Sequence, residues 1–199
     1  MLALLKDLDQ FEIILASESP RRYELLKMIG LDFKVRPSHA PEKYEPGLTP
    51  IAYTLQNARI KGSLIAEKYP DSLVISADTI VVHRGKVLEK PHDEAHAAEI
   101  LRHLSNSTHE VITAFGFTHY NRAKSAFDHE VTKVTFRNLR QSEISAYIKS
   151  GEPFDKAGGY GAQGTGAMLI KKIDGCFFNV VGLPLAKFFT TLDKFLIQL

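Results

Sequence analysis

The chain is poor in several things that would have settled its class at once. It has a single cysteine, Cys176, among 199 residues. One cysteine cannot form an intrachain disulfide or a cysteine-based zinc site, and that fits a reducing compartment. No run of apolar residues approaches the length needed to span a bilayer, and the start, MLALLKDLDQ, has no signal-peptide core before Lys6 and Asp7. A cytoplasmic protein with no membrane partner is the expectation. Charge of one sign is also lacking: the net charge is +2. With no basic stripe beyond pairs such as Lys171 and Lys172, nucleic acid is not expected as a partner. Tryptophan is absent, twelve phenylalanines are present, and 44% hydrophobic with 24% charged residues is ordinary for a globular protein. There is no GxxxxGK[ST], so P-loop chemistry is excluded, and no GxSxG. The spacing of Gly159, Gly161 and Gly164 mimics GxGxxG, but it leaves a helix and opens a strand, the reverse of a dinucleotide-binding turn. His92, His96 and His103 read as solvated rather than as a metal face.

What is present alternates between short apolar strands and amphipathic helices, without repeats or linkers, and reads as one α/β domain over residues 1–199. The run Leu73 to Ser76 reads as a buried strand with Asp78 where it emerges. A carboxylate there can hold a metal or take a proton, or it can simply hydrogen-bond the next turn. Phe11 to Ala16 reads as a strand followed by a helix capped at Ser19 with Pro20 at its first position. Arg21 and Arg22 in that first turn, with Ser17 and Ser19 beside them, form a candidate phosphate grip. The alternative is a pair of exposed arginines facing Glu18 and Glu24.

Phe33 to Arg36 reads as a further strand. A long helix is expected from Pro50 toward Tyr69, with Ala52, Leu55, Ile65 and Ala66 inward and Asn57, Arg59 and Lys61 polar and available. Lys61 is either surface decoration or a phosphate ligand. Arg84-Gly85-Lys86 marks a hairpin, and Asp93 to Leu104 a helix buried through Ala97, Ala98, Ile100, Leu101 and Leu104. Glu110 to Tyr120 and Phe127 to Phe136 read as long paired strands, and Ser142 to Lys149 as a short helix. The segment Gly151 to Gly166 is glycine-rich yet carries Asp155, Lys156, Tyr160 and Gln163. Ala167 to Ile173 and Phe177 to Val181 read as strands, Cys176 as a small core residue, and Pro184 as the start of a last helix with Leu185, Phe188, Phe189, Leu192 and Phe195 inward.

Six segments taken together, LASESPRRYELL from Leu15, SADTIVV from Ser76, LEKPHD from Leu88, HEVIT from His109, DKAGGYGAQG from Asp155 and NVVGLPL from Asn179, closely resemble the Maf family. The resemblance covers nearly the whole chain in order. It implies a nucleoside triphosphate pyrophosphatase with a fold similar to the inosine triphosphatase group, an elongated mixed sheet flanked by helices in two lobes around a deep cleft, and a homodimer. Position by position, Asp78 matches the proposed proton acceptor. Arg21, Thr79 and Gln163 match positions tied to substrate choice, and Lys61, Lys90 and Lys156 match lysines facing the triphosphate. The GGYGxQG form resembles the branch acting on dTTP and UTP rather than on 7-methyl-GTP. A carboxamide at Gln163 can meet the donor and acceptor edge of uracil or thymine.

A divalent ion, Mg²⁺ or Mn²⁺, is expected on Asp78 and on Glu42. The latter is the one carboxylate left in a loop where the family usually carries paired acids. Glu89 and Ala162 also depart from the family pattern, without removing any group assigned above. The alternatives are action on other or modified nucleotides, or a non-hydrolysing nucleotide-binding regulator of cell division.

Overall fold

A computed structural model describes residues 8–41 and 47–199. The strands are β1 (Ile13–Leu15), β2 (Lys34–Val35), β3 (Leu73–His83), β4 (Lys86–Leu88), β5 (Thr108–His119), β6 (Lys124–Phe136) and β7 (Ile170–Asp174). The helices are α1 (Pro20–Met28), α2 (Pro50–Lys68), α3 (Glu94–Leu104), α4 (Gln141–Lys149), α5 (Phe177–Val181) and α6 (Leu185–Leu196). The strands form one seven-stranded sheet in the order β2-β1-β3-β5-β6-β7, with β4 also on β3. The sheet is mixed, since β1 runs parallel to β2 and β3 while β4 is antiparallel to β3 and β7 to β6. Among the described residues, no helix is long and apolar enough to cross a membrane.

Local chemistry explains most of the boundaries. Ser19, Thr49 and Asp93 cap α1, α2 and α3 by accepting from the backbone N-H three residues on, at 3.5, 3.2 and 2.7 Å. Proline stands first in α1 and α2, where its missing N-H costs nothing. The two-residue loop between β3 and β4 has positive φ at both Arg84 (51°) and Gly85 (76°), the twist that a tight hairpin needs.

The chain divides into two compact units. The first contains residues up to Asp78, Thr113–Glu130 and Gly182–Leu199. Its core includes Ile14, Ala16, Ile65, Ala66 and Val74, and a group of edge-on and stacked rings from Phe115, Phe117, Phe188 and Phe195. Phe189 is only half-buried, unlike its expected inward neighbours on α6. Within this unit α2 lies very close to β3. A Cβ on Gly62 would come within 2.7 Å of the Ser76 hydroxyl, which itself donates to the Ala58 carbonyl at 2.8 Å.

The second unit contains Thr79–Ile112 and Val131–Val181. Its core is built on the buried face of α3, with Ala97, Ala98, Ile100, Leu101 and Leu104 all inward as expected, against Val134, Phe136, Ile144 and Tyr160. His109 sits inside it, edge-on to Phe136 and sharing a 2.6 Å hydrogen bond with the Tyr160 hydroxyl. Burial, and secondarily the charge of His83, lower its pKa to about 3.

Three further expectations need correcting. Phe177–Val181 is helical rather than extended. The buried Asn179 side chain there donates to the Val111 carbonyl (3.0 Å) and the Thr132 hydroxyl (2.9 Å), and these tertiary bonds override a β-prone sequence. Residues 167–169 belong to a 3-10 helix, Gly164–Leu169, so β7 begins only at Ile170. Cys176 is half-buried rather than a core residue, in a turn pinned by its backbone bonds with the Thr132 hydroxyl.

Two outcomes test this packing. Gly62→Val, which drives a side chain into Ser76, lowers unfolding free energy by about 1–3 kcal/mol in urea titrations. His109 binds a proton in the unfolded chain below about pH 6.5 but resists it when folded until about pH 3. Stability is therefore complete above pH 6.5 and falls as pH drops through that window, by up to about 1.4 kcal/mol per pH unit. Unfolding free energy against pH has a shallower acid slope in His109→Gln.

Candidate active site

Asp78 is not at a strand end. It lies in the middle of β3, which continues to His83 because Thr79 and Ile80 keep the extended backbone and the ladder resumes with β4. Asp78 is buried, so the partners of its carboxylate decide what it can do. Lys61 Nζ donates to Oδ1 at 2.7 Å, and Asn57 Nδ2 donates to Oδ2 at 3.0 Å. The Lys61 and Asp78 side chains are 11% and 6% exposed.

Asn57 and Lys61 are four residues apart and share one face of α2. The close approach at Gly62 brings that face to β3. Contrary to expectation, neither residue is on an available polar face, while Ala52 and Leu55, expected inward, are only half-buried. Arg59 does remain exposed, with its guanidinium over the Phe127 ring. No role for Asn57 follows from the sequence. Its signal is a stripe of period four, Tyr53, Asn57, Lys61 and Ile65, all buried, in which two polar groups interrupt an apolar face.

Burying an ion pair rarely adds net stability, because desolvation offsets the attraction. A triad of amide, ammonium and carboxylate maintained at that cost fits a chemical use better than a structural one. The second cluster gathers at the start of α1. Ser17 leaves β1, whose Leu15 lies opposite Ile75 and whose ladder extends through the Ala16 N-H to the Ile75 carbonyl, 2.8 Å. The Ser17 hydroxyl accepts from Arg22 Nη1 at 3.0 Å and from the Ser19 N-H at 3.3 Å. Arg22 Nε donates to the carbonyl of Gly182 at 3.0 Å, a residue whose φ of 126° suits glycine. Arg22 is thus buried within the protein's own hydrogen bonds, while Arg21 beside it is half-buried. Glu18 faces His39 at 2.9 Å.

In the second unit Thr79, adjoining Asp78 on the strand, is half-buried. Lys90 is exposed, between β4 and α3. Lys156 Nζ is held by its own segment, donating to the Glu152 carbonyl (2.6 Å) and to Asp155 Oδ1 (2.5 Å), with its side chain 12% exposed. Gln163 is exposed, on extended backbone just before the Gly164–Leu169 3-10 helix.

The Mg²⁺ or Mn²⁺ expectation names Asp78 and Glu42. Glu42 lies outside the described residues, and among those described no three His, Cys, Asp or Glu side chains converge. The Asp78 donor set still suits a hard cation. Each of its carboxylate oxygens accepts from a protein donor and can accept a further partner. Mg²⁺ commonly takes only one or two carboxylates, completing its shell with water and phosphate oxygens.

The hydroxyl- and arginine-bearing segment at Ser17 to Arg22, the Asn57, Lys61 and Asp78 group and the glycine-rich turn bearing Gln163 follow one another along the chain, and the chain belongs to the Maf-like protein family, whose pattern matches residues 12–195. Among its relatives, the dTTP/UTP pyrophosphatase of Syntrophomonas wolfei is 46% identical over 90% of this chain and 95% of its own length. That of Bacillus pumilus is 45% identical over 92% and 96%, and that of Koribacter versatilis 47% over 92% and 93%. A solved HAM1 protein from Coxiella burnetii superposes with a TM-score of 0.48 at 14% identity, over 94% of this chain and 95% of that one.

Removing one partner of the buried pair strands the other. Lys61→Met lowers unfolding free energy by about 3–5 kcal/mol, and Asp78→Asn added to it restores part of the loss. A double-mutant cycle in urea measures this coupling.

Proposed function

We propose that this chain hydrolyses dTTP and UTP between the α and β phosphates, giving the monophosphate and pyrophosphate. The observation that carries the reading is the buried Asn57, Asp78 and Lys61 group, in a chain more than two fifths identical over nine tenths of its length to proteins named for this activity.

Asp78 is the acceptor for the proton of the attacking water. As that proton leaves, the water oxygen bonds to the α-phosphorus and the α-β anhydride breaks, its electron pair departing with pyrophosphate. Asn57 fixes the orientation of the carboxylate through Oδ2, leaving Oδ1 to Lys61. Lys61 supplies positive charge where phosphate charge accumulates. One such well-placed group is worth about a hundredfold in rate. Asp78, and Glu42 in this reading, would hold Mg²⁺ or Mn²⁺, which when bound neutralises phosphate charge and acidifies a bound water.

Ser17, Ser19 and Arg21 are read as phosphate contacts at the start of α1, with Arg22 supporting them from behind. Lys90 is read as a further triphosphate contact, and Lys156 joins it only on releasing Asp155. Gln163, together with Thr79, is read as choosing the base. A homodimer and a cytoplasmic setting belong to the same reading.

The test is pyrophosphate release from dTTP, UTP, CTP, GTP and 7-methyl-GTP, with Mg²⁺, Mn²⁺ and a chelator. Turnover of dTTP and UTP is at least about tenfold above the others, and the chelator abolishes it. Binding of dTTP by folded protein without pyrophosphate release from any of the five overturns the reading in favour of a regulator. Gln163→Glu erases the preference for dTTP and UTP; a preference left untouched removes Gln163 from base choice.

A further inference from the structure

The turn that carries Gln163 is tied together from both sides by one carboxylate that the scheme above does not use. Tyr147 lies near the end of α4. Gly151, with a φ of 76°, then reverses the chain, and Glu152 follows it, half-buried. Glu152 Oε2 accepts from the Thr165 N-H at 3.1 Å and from the Thr165 hydroxyl. Oε1 accepts from the Gly166 N-H at 3.1 Å and from the Tyr147 hydroxyl at 3.2 Å. The same Tyr147 oxygen accepts from the Gly161 N-H at 3.3 Å. Backbone amides on either side of Gln163 therefore end on Glu152, directly or through one hydroxyl.

The packing leaves little freedom for another arrangement. A Cβ on Gly166 would lie 2.4 Å from the Gly161 carbonyl and 2.8 Å from the Tyr147 oxygen. Gly164 has a φ of 73°, and a Cβ there would lie 3.2 Å from Glu152 Oε2. Burial pushes the Glu152 carboxyl up, but the bonds from Thr165, Gly166 and Tyr147 outweigh it and hold the group below the usual carboxylate range. None of these bonds uses the side chain of Gln163, which is left exposed on a backbone fixed at both ends.

We propose that Glu152 is a positioning residue for base choice. By clamping the Gly161–Gly166 turn it fixes where the Gln163 carboxamide stands, and so sets the discrimination of uracil and thymine from cytosine without touching the nucleotide. This rests on the reading of dTTP and UTP as substrates with Gln163 as the base contact. The physical ground is that a carboxamide distinguishes two pyrimidines by exchanging a donor for an acceptor, which demands accurate placement of its backbone. The clamp is made by the Glu152 carboxylate, two hydroxyls and backbone amides, none of them assigned to phosphate above; the Glu152 carbonyl, which accepts from Lys156 Nζ at 2.6 Å, is unchanged by Glu152→Gln.

The test measures kcat/KM for dTTP and for CTP, with hydrogen exchange at the Gly161, Thr165 and Gly166 amides, in the wild type, Glu152→Gln and Thr165→Val. Glu152→Gln keeps the shape of the side chain but sets an NH₂ group against a cluster of N-H donors, and Thr165→Val removes only the hydroxyl bond. In Glu152→Gln the dTTP/CTP ratio falls about tenfold, mainly through a higher KM for dTTP, and the three amides lose protection. Thr165→Val shifts both readouts in the same direction by less, and carries the test alone if Glu152→Gln does not fold. An unchanged ratio despite lost protection, or an equal loss on both nucleotides, marks a merely structural clamp and overturns the inference. A wild type that releases no pyrophosphate from dTTP instead overturns the underlying reading, and the base-choice role with it.

Discussion

The contact between Lys61 and Asp78 is the constraint from which the first unit is best understood. An ammonium and a carboxylate removed from water lose several kcal/mol of solvation each, and recover it only if their separation and remaining hydrogen bonds are nearly ideal. Here the separation is 2.7 Å, and the second carboxylate oxygen is satisfied by Asn57. Both partners of Asp78 come from one helix face, so a single rigid displacement of α2 would break the set. The helix is kept against β3 by the absence of a side chain at Gly62 and by the bond from Ser76 to the Ala58 carbonyl. Two small residues in the core thus govern the position of three polar ones.

The glycine-rich segment of the second unit follows the same logic with different parts. A Cβ on Gly166 would meet the Gly161 carbonyl and the Tyr147 oxygen, and one on Gly161 the Lys156 side chain; the Gly166 amide ends on Glu152 and the Gly161 amide on Tyr147. In both units a side chain to which the proposed function gives a role is placed by neighbours to which it gives none. Asp78 depends on helix packing, and Gln163 on a carboxylate clamp.

The starts of α1 and α2 were legible in the chain, because capping is a local contest between a side-chain oxygen and the nearest free N-H, and Ser19-Pro20 and Thr49-Pro50 declare it. The buried face of α3 was legible for the same reason of short-range periodicity. The length of β3 was not. Ser76, Asp78 and Thr79 look like the end of an apolar strand, and only the α2 partners of Ser76 and Asp78 and the pairing of Val81 to His83 with β4 show that the strand continues. Phe177–Val181 misled in the opposite sense, since its β-prone residues are held helical by the distant Val111 and Thr132. Asp78 and Lys61 could be singled out from sequence, but that they bond each other could not, because the register between α2 and β3 is set by packing. Asn57 was hidden entirely: an asparagine in mid-helix reads as surface until the helix face is known. Lys156 was found as a residue, but its engagement with Asp155 and the Glu152 carbonyl depends on a tight turn that no motif records.

The central claim is that the buried carboxylate of β3 performs the chemistry. The most direct measurement is pyrophosphate release from dTTP by Asp78→Asn, with its circular dichroism and urea midpoint recorded beside the wild type. The substitution keeps the shape of the side chain and removes its ability to accept the proton. The account predicts a protein that folds with a lower urea midpoint, because Lys61 has lost its charged partner, still binds dTTP, and turns over at least about a hundredfold more slowly. A folded Asp78→Asn that releases pyrophosphate at the wild-type rate would contradict it.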